Sequence, residues 1–571
     1  MKQKLLDISD LYIELPEGSD RQYAIQNVDL ELKQGETLCV VGESGSGKSL
    51  TARAIMGLLP EPHVRVSNGE IIFNGEDITK VSYERLRDLR GSEISMIFQE
   101  PMTALNPVMS IGVQIDEIFR YHVSMSKAER QKRAIELLAD VNLPNPAQIM
   151  NTYPHELSGG QRQRAMIAMA LALKPQILIA DEPTTALDVT TQAQILKLIK
   201  DMQTVYDTGV LFITHDFGVV ADIADRVAVM QHGIVVESGT VKQVLNNPEH
   251  PYTKALISAV PSLTPRKAKT ISKEKVLEVK DVYKTFGGGR GLFGFGKPLR
   301  QVDALKNVTL DLYNGETLGV VGESGSGKST LARCIIRLMD TDAGAITIEG
   351  TQINMLKRKA MRTWRNKIQM VFQDPFASLN PRIRVGDIIA QGPITQGVAR
   401  EDALKRAREL ISIVGLDDRS FDRYPHEFSG GQRQRIGIAR SLALRPEILI
   451  ADEPVSALDV SIQSQILDLL DDIREQMKLS MIFITHDLRV AAQVCDRMAV
   501  MQYGEVVEVG KTKDIFANPQ HNYTIDLLSA VPGKDWKGIS SAGSAGKAKS
   551  KAKPKSKSPS RSKSPSKSKM S

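Results

Sequence analysis

A chain of 571 residues, 42% hydrophobic and 25% charged, is long enough for two large domains or several smaller ones with filled cores. It holds no run of about 18 apolar residues, and its start, MKQKLLDISDLYIELPEG, lacks an apolar export segment; both argue against a membrane span or secretion, and the cytosol is the expected compartment. The net charge of +7 misleads if taken whole: residues 537–571 carry eleven Lys or Arg and no acid, leaving 63 basic against 67 acidic residues, so no nucleic-acid-binding face is expected of the body.

The first strongly marked elements are a buried strand, TLCVV, and an amphipathic helix, KSLTARAIMGLL. Between them lies a Gly-x-x-x-x-Gly-Lys-Ser loop at residues 42–49, made of Gly42, Glu43, Ser44, Gly45, Ser46, Gly47, Lys48 and Ser49. Glycines at these places let successive backbone N–H groups converge on a phosphate chain at a helix N-terminus, whose dipole also favours an anion. Lys48 can then bridge the outer phosphates, and the Ser49 hydroxyl can ligate Mg²⁺. Next comes FQEPMTALNP at 98–107, then YPHELSGGQRQR at 153–164. The stretch SGGQRQRAMIAMALALKP reads as a helix capped by Ser158 and stopped at Pro175, its double glycine exposing a second phosphate-binding end.

Two further strands, QILIA and VLFIT, end in candidate catalytic groups. Asp181 is placed to hold the Mg²⁺ shell and Glu182 to polarise an attacking water. The blander alternative is that these acids only cap the segment after Pro183. His215 follows VLFIT by one residue in the numbering, 34 residues after Asp181. A lone histidine there is more often a satisfied core or surface group, but its recurrence at the same distance in a second copy points to the γ-phosphate and the attacking water. Cys39, Cys334 and Cys495 are far apart and form no CxxC, which signals neither a disulfide framework nor a metal cluster.

The second copy begins with the same loop: Gly322, Glu323, Ser324, Gly325, Ser326, Gly327, Lys328 and Ser329. FQDPFASLNP, YPHEFSGGQRQR, ILIADEPVSALDV and FITHD follow, at offsets of 274 and then 271 after an initial 280. Insertions therefore lie early in each copy, and the later framework is kept in register. The repetition predicts an α/β domain with a largely parallel core sheet over 1–262, a flexible polar linker over 263–274, a second such domain over 275–535, and a disordered Lys/Ser-rich tail over 536–571.

Glycine loop, glutamine loop, Ser-Gly-Gly-Gln signature, acidic strand end, D-loop and switch histidine stand in an order that resembles a tandem ATP-binding-cassette ATPase across nearly all of residues 1–535. The paired ends NPEHPYTKALISAVP (247–261) and NPQHNYTIDLLSAVP (518–532), with YPHELSGGQRQR, make it similar especially to the peptide/nickel importer group and the fused ATPase subunits of microcin C and oligopeptide importers. The resemblance implies two P-loop domains, each with a RecA-like core, an antiparallel β subdomain and a helical signature subdomain. It further implies a head-to-tail pairing that answers why the loop occurs twice. One site would combine residues 42–49, Gln99, Asp181, Glu182 and His215 with Ser429, Gly430, Gly431 and Gln432. The other would combine residues 322–329, Gln373, Asp452, Glu453 and His486 with Ser158, Gly159, Gly160 and Gln161. Asp188 and Asp459 match the D-loop at the seam, and Ser49, Gln99, Asp181, Ser329, Gln373 and Asp452 match the Mg²⁺ shell. ATP and Mg²⁺ are the implied cofactors. Two transmembrane permease subunits and a periplasmic substrate-binding protein are the implied partners, with the chain peripheral on the cytoplasmic face of the inner membrane.

Departures qualify the likeness. The adenine-stacking aromatic maps onto Phe286 in the second copy, which could equally be an apolar strand-end residue, but onto Leu15 in the first, where Tyr12 and Tyr23 are out of register. Residues 287–300, GGGRGLFGFGKPLR, have no counterpart in the first copy. The tail is read as a solvated extension, with adhesion to anionic lipid or nucleic acid as alternatives. The competing function is a soluble twin-cassette translation factor, which the short linker between the copies disfavours.

Overall fold

The computed structural model describes residues 2–184, 187–267, 269–287, 301–456 and 458–536. The basic tail from 537 and residues 288–300 of the insertion lie outside them.

Each repeat opens with an antiparallel sheet. In the first, the strands Tyr23–Lys33, Lys4–Glu14, Arg65–Phe73 and Glu76–Asp77 pair in that order. The alternation in KLLDISDLYIE turns Leu6 and Ile8 inward, then slips so that Leu11 and Ile13 also face the core. The slip is a bulge: the register shifts after Ile8, and Asp10 takes a φ of 48°. Gly69 sits opposite at φ +92°, and a Cβ there would lie 2.3 Å from the Asp10 carbonyl oxygen. The second repeat reproduces the device with Asp281 at φ 48° and Gly344 at φ +89°. Its sheet runs Val302–Tyr313, Lys275–Phe286, Ala343–Ile348, Thr351–Gln352.

The main sheet of the first repeat has the order Ile234–Thr240, Arg226–Gln231, Thr37–Val41, Gly209–Thr214, Ile177–Asp181, Ile94–Ile97, parallel except at the Ile234–Thr240 edge. TLCVV, ILIAD and GVLFIT are buried at every position, as strands covered on both faces must be. One face packs on the antiparallel sheet through Ile179, Ile213, Leu11 and Phe73. The other packs on helices that include Ile111–His122, Lys127–Asp140 and Gly159–Leu171. The carboxyl ends of Thr37–Val41, Ile177–Asp181 and Gly209–Thr214 thus emerge side by side, where an open α/β sheet places its ligand. The second repeat has the same arrangement around Thr317–Val321, Ile448–Asp452 and Ser480–Thr485. Among the described residues no helix is long and apolar enough to cross a membrane.

The two repeats exchange ends. Leu263 packs against the core of the second repeat, and Trp536 against that of the first. Within the stretch 263–274, expected as a flexible linker, Thr264, Arg266 and Lys269 are instead tied to the second repeat, as is Ser262 just before it. The Gln493 amide donates to the carbonyls of Ser262 and Thr264 at 2.8 and 3.0 Å. Arg266 pairs with Asp471 and Asp496 at 3.3 and 2.5 Å, and Lys269 with Glu475 at 2.7 Å. The sequence reading missed this because the acids that receive those cations lie some 200 residues away. At the chain's far end Gly533 N donates to the Asp222 carboxylate at 2.8 Å. Arg489 binds both crossings, donating to Pro261 O at 3.3 Å, Pro532 O at 2.7 Å and Gly533 O at 2.9 Å. Its counterpart in the first repeat is Gly218, where a Cβ would stand 2.6 Å from Pro532 O. Arg489 thus holds both crossings, while at the equivalent place in the first repeat a side chain would collide with the strap at Pro532.

Candidate active site

Residues 42–49 wrap from the end of Thr37–Val41 into the helix Lys48–Ile55, whose N-cap is Gly47 at φ 106°. Gly42 has a φ of 153°, and a Cβ on it would lie 2.2 Å from Met230 O, so only glycine lets the loop pass this strand. The Lys48 ammonium closes the loop, donating to Gly42 O at 2.7 Å and Glu43 O at 2.9 Å. Lys328 does the same with Gly322 O and Glu323 O, both at 2.7 Å. Burial pushes both ammonium groups below their usual range, against the pull of nearby carboxylates that include Asp459 for Lys48 and Asp188 for Lys328, each from the other repeat.

Ser49 Oγ donates to Asp181 Oδ1 at 2.9 Å, and Ser329 Oγ to Asp452 Oδ1 at 3.0 Å. Burial raises both aspartates above the usual carboxylate range, the serine hydrogen bond opposing it in each. A desolvated carboxylate beside a hydroxyl and, one residue on, a glutamate is electrostatically short of positive charge. Its hard oxygen donors suit Mg²⁺. Among the described residues no three His, Cys, Asp or Glu gather as a metal cluster. That is compatible with Mg²⁺, which takes one or two carboxylates and fills its shell with phosphate oxygens and water.

Glu182 and Glu453 adopt φ of 47° and 46°, left-handed values that cost a non-glycine residue about 1 kcal/mol or more. Each is held there by its N–H, which donates at 2.9 Å to the neighbouring strand at Ile213 O or Ile484 O. The kink aims the two carboxylates at a glutamine and a histidine. Gln99 Nε2 donates to Glu182 at 3.1 Å, and Gln373 Nε2 to Glu453 at 2.9 Å. His215 Nδ1 lies 3.5 Å from Glu182, and His486 Nδ1 lies 3.2 Å from Glu453. Burial would lower both imidazoles, but the hydrogen bond and charge of the glutamate raise them above their ordinary value. Burial would likewise raise Glu453; the His486 hydrogen bond and charge, with Lys328, hold it below the usual range.

The repeats meet over these loops. Ser44 donates through its N–H and its hydroxyl to Asp459 Oδ1, at 2.9 and 3.0 Å. The Ser461 hydroxyl donates to Glu43 beside it. On the other seam Thr190 donates to Glu323, while Asp188 caps its own helix by accepting from Thr191 N at 2.9 Å. Thr190 and Ser461 were not picked from the sequence. Their signal was a hydroxyl kept at the same place, two residues after each D-loop aspartate.

The Ser-Gly-Gly-Gln stretches stand at the heads of Gly159–Leu171 and Gly430–Leu442. Ser158 and Ser429 are exposed, and each forms a capping box with Gln161 or Gln432. Gly160 and Gly431 pack on their own repeat's D-loop helix: a Cβ would fall 3.0 Å from Thr191 Cγ2 and 2.5 Å from Ile462 Cγ2. Gly159 and Gly430 lie one position nearer the cap. Among the described residues no hydrogen bond joins either signature to the opposite phosphate loop; the D-loops make those contacts. Phe286 ends its strand paired with Val302 and is 41% exposed. The cavity over residues 324–330 is lined by Val302, Asp303, Lys306, Tyr503, Gln373 and Glu453. Tyr503, another residue not picked from the sequence, occupies the turn that holds His232 in the first repeat.

Residues 25–185 and 305–456 match a family described as ABC transporter, and 236–287 and 507–556 match one described as oligopeptide/dipeptide transporter, C-terminal region. The chain is 46% identical over 562 residues to the glutathione import ATP-binding protein GsiA of Salmonella typhimurium, covering 93% of this chain and 90% of that one. It is 46% identical over 531 residues to the peptidoglycan transport ATP-binding protein YejF of Agrobacterium fabrum, covering 93% and 96%. A solved dimeric cassette, MJ0796 bound to ADP and Pi, is 32% identical, covers 41% of this chain and 98% of its own, and has a TM-score of 0.37. The translation-factor reading finds no support in these likenesses. Two cassette repeats whose phosphate loops each meet the other's D-loop, matched in both halves, place this chain in the ABC transporter family as a fused, ATP-binding and ATP-hydrolysing pair.

Proposed function

We propose that the chain energises the import of peptides or peptide-like solutes, a class that includes the glutathione of one relative's name, by hydrolysing ATP at two composite sites. The observation that carries this reading is the bond from Ser44 in the first phosphate loop to Asp459 in the second repeat. The match of both repeat ends to the oligopeptide/dipeptide transporter C-terminal region supports the substrate class. The chain works with two transmembrane permease subunits, peripheral on the inner face of the inner membrane, and a periplasmic binding protein delivers the solute.

In each site the phosphate loop holds the nucleotide, with Lys48 or Lys328 on the outer phosphates. Ser49, Asp181 and Gln99, or Ser329, Asp452 and Gln373, would hold Mg²⁺, which when bound neutralises charge on the transferring phosphoryl group. Glu182 or Glu453 orients and polarises the attacking water. Its oxygen bonds the γ-phosphorus as the bond to the bridging β–γ oxygen breaks, giving ADP and phosphate. His215 or His486 fixes that glutamate and contacts the γ-phosphate. The opposite signature, Ser429–Gln432 for the first loop and Ser158–Gln161 for the second, closes on the same phosphate. ATP drives closure because it touches both repeats only when they are closed, and hydrolysis removes that difference. Fusion makes the pairing intramolecular.

Glu182→Gln and Glu453→Gln should each lower turnover at their own site about 100-fold or more, with ATP still bound. A variant that hydrolyses at the parent rate refutes two working sites. Affinity capture from solubilised membranes should recover two multispanning proteins with the chain, and recovery of none refutes the importer reading.

A further inference from the structure

The paired domain ends, NPEHPYT and NPQHNYT, have no part in the chemistry above. In the first repeat the stretch joins the strand Ile234–Thr240 to the helix Pro251–Ala259 through Val241–Asn246. The Glu237 carboxylate accepts from Glu249 N at 2.8 Å and His250 N at 3.1 Å, and His250 Nδ1 caps the helix by accepting from Tyr252 N at 3.3 Å. This fixes the first helical turn and sends the Tyr252 side chain to the phosphate loop. Its hydroxyl accepts from Glu43 N at 3.1 Å and donates to Glu43 Oε2 at 3.3 Å. The other oxygen of that carboxylate accepts from Ser461 of the second repeat.

The second repeat rebuilds the device at the equivalent positions, except for the tyrosine's bond to the glutamate carboxylate. Glu508 accepts from Gln520 N at 2.9 Å and His521 N at 3.1 Å, and His521 Nδ1 accepts from Tyr523 N at 3.2 Å. Tyr523 Oη accepts from Glu323 N at 3.0 Å, and Glu323 accepts from Thr190 across the seam. The His-x-Tyr spacing is thus a bracket: histidine sets the helix start, and tyrosine spans from it to the loop.

We propose that Tyr252 and Tyr523 are positioning residues for ATP hydrolysis, each anchoring its own phosphate loop at the glutamate, Tyr252 through the backbone N–H and the carboxylate of Glu43 and Tyr523 through the backbone N–H of Glu323, so that the carboxylate meets a hydroxyl of the opposite repeat. A free glutamate side chain samples many rotamers, and one already held by a tyrosine loses less freedom when the seam forms. The role rests on the composite-site reading above and extends it to the domain ends.

The test is steady-state hydrolysis of Mg-ATP by the full chain. Tyr252→Phe removes one hydroxyl and keeps the ring. It removes both hydrogen bonds of the hydroxyl to Glu43 and should lower turnover at the first site about two- to ten-fold, seen as a smaller fall in total kcat while the second site runs. Adding Ser461→Ala should then cost almost nothing more, because both changes break one chain of contacts. An unchanged kcat, two effects that multiply, or a lowered melting temperature at full kcat would each overturn the proposal. If Tyr252→Phe fails to fold, Tyr523→Phe with Thr190→Ala tests the same idea on the other seam, where the tyrosine holds the backbone of Glu323 and the threonine its carboxylate. Glu182→Gln run in parallel separates the two ideas: a slow Glu182→Gln beside a full-rate Tyr252→Phe removes only the bracket, whereas a full-rate Glu182→Gln removes the composite-site reading itself.

Discussion

Glu453 and His486 set each other's charge. The imidazole, 3.2 Å away, holds the carboxylate below its ordinary 4.5, and the carboxylate holds the imidazole above its ordinary 6.5. A lowered carboxylate stabilises the fold above its unfolded value, and that contribution is lost as pH falls through the folded value. A raised imidazole stabilises it below its unfolded value, and that contribution is lost as pH rises through the folded value. The pair therefore stabilises the nucleotide-free protein most between about pH 4.5 and 6.5. His486→Ala should cost about 1–3 kcal/mol in that window, shrinking towards either side, as read from melting temperature against pH. A deficit that is flat across pH would contradict the ion pair. These residues were legible one by one, because strand-end chemistry repeats at fixed spacing. Their mutual distances were not, because they depend on the left-handed kink at the glutamate, which no residue type there announces.

At the scale of elements, the helix from Ser158 and the buried strands TLCVV, ILIAD and VLFIT were readable because capping residues and unbroken apolar runs are local signals. Sheet order was not readable: Thr37–Val41 lies between strands more than 150 residues later, and nothing local encodes that neighbourhood. The linker after the first repeat was misread for a related reason. A polar, basic stretch resembles a flexible linker until the acids on Val460–Met477 and at Asp496 are brought under Arg266 and Lys269. The strap at the other end can be tested by truncation. A chain ending at Trp536 keeps the contacts of Pro532 and Gly533 with Arg489 and Asp222, and that of Trp536 with the first repeat's core. One ending at Ala530 loses them together with the buried Val531. Burial of one large apolar side chain is worth about 1.5–3 kcal/mol, so the shorter chain should melt several degrees lower than the longer one. Equal melting temperatures would mean that the strap contributes nothing.

In the whole molecule the duplication finds its use at the seams. Asp459 and Ser461 reach the first phosphate loop, Thr190 reaches the second, and the straps with Arg489 line the same cavity as His215 and His486. The seams are not identical: a hydroxyl, Ser461 or Thr190, crosses on both, but Asp459 also binds the first loop while Asp188 caps its own helix. The exchange of Gly218 for Arg489 at equivalent places gives the two halves distinct roles in one chain. The central claim is that each nucleotide is clamped between both repeats. The most direct measurement is a structure of the full chain carrying Glu182→Gln and Glu453→Gln, saturated with Mg-ATP. The account predicts two nucleotides, one between Lys48 and Ser429 and one between Lys328 and Ser158. Nucleotides bound to the phosphate loops with both signatures remote from them would contradict it.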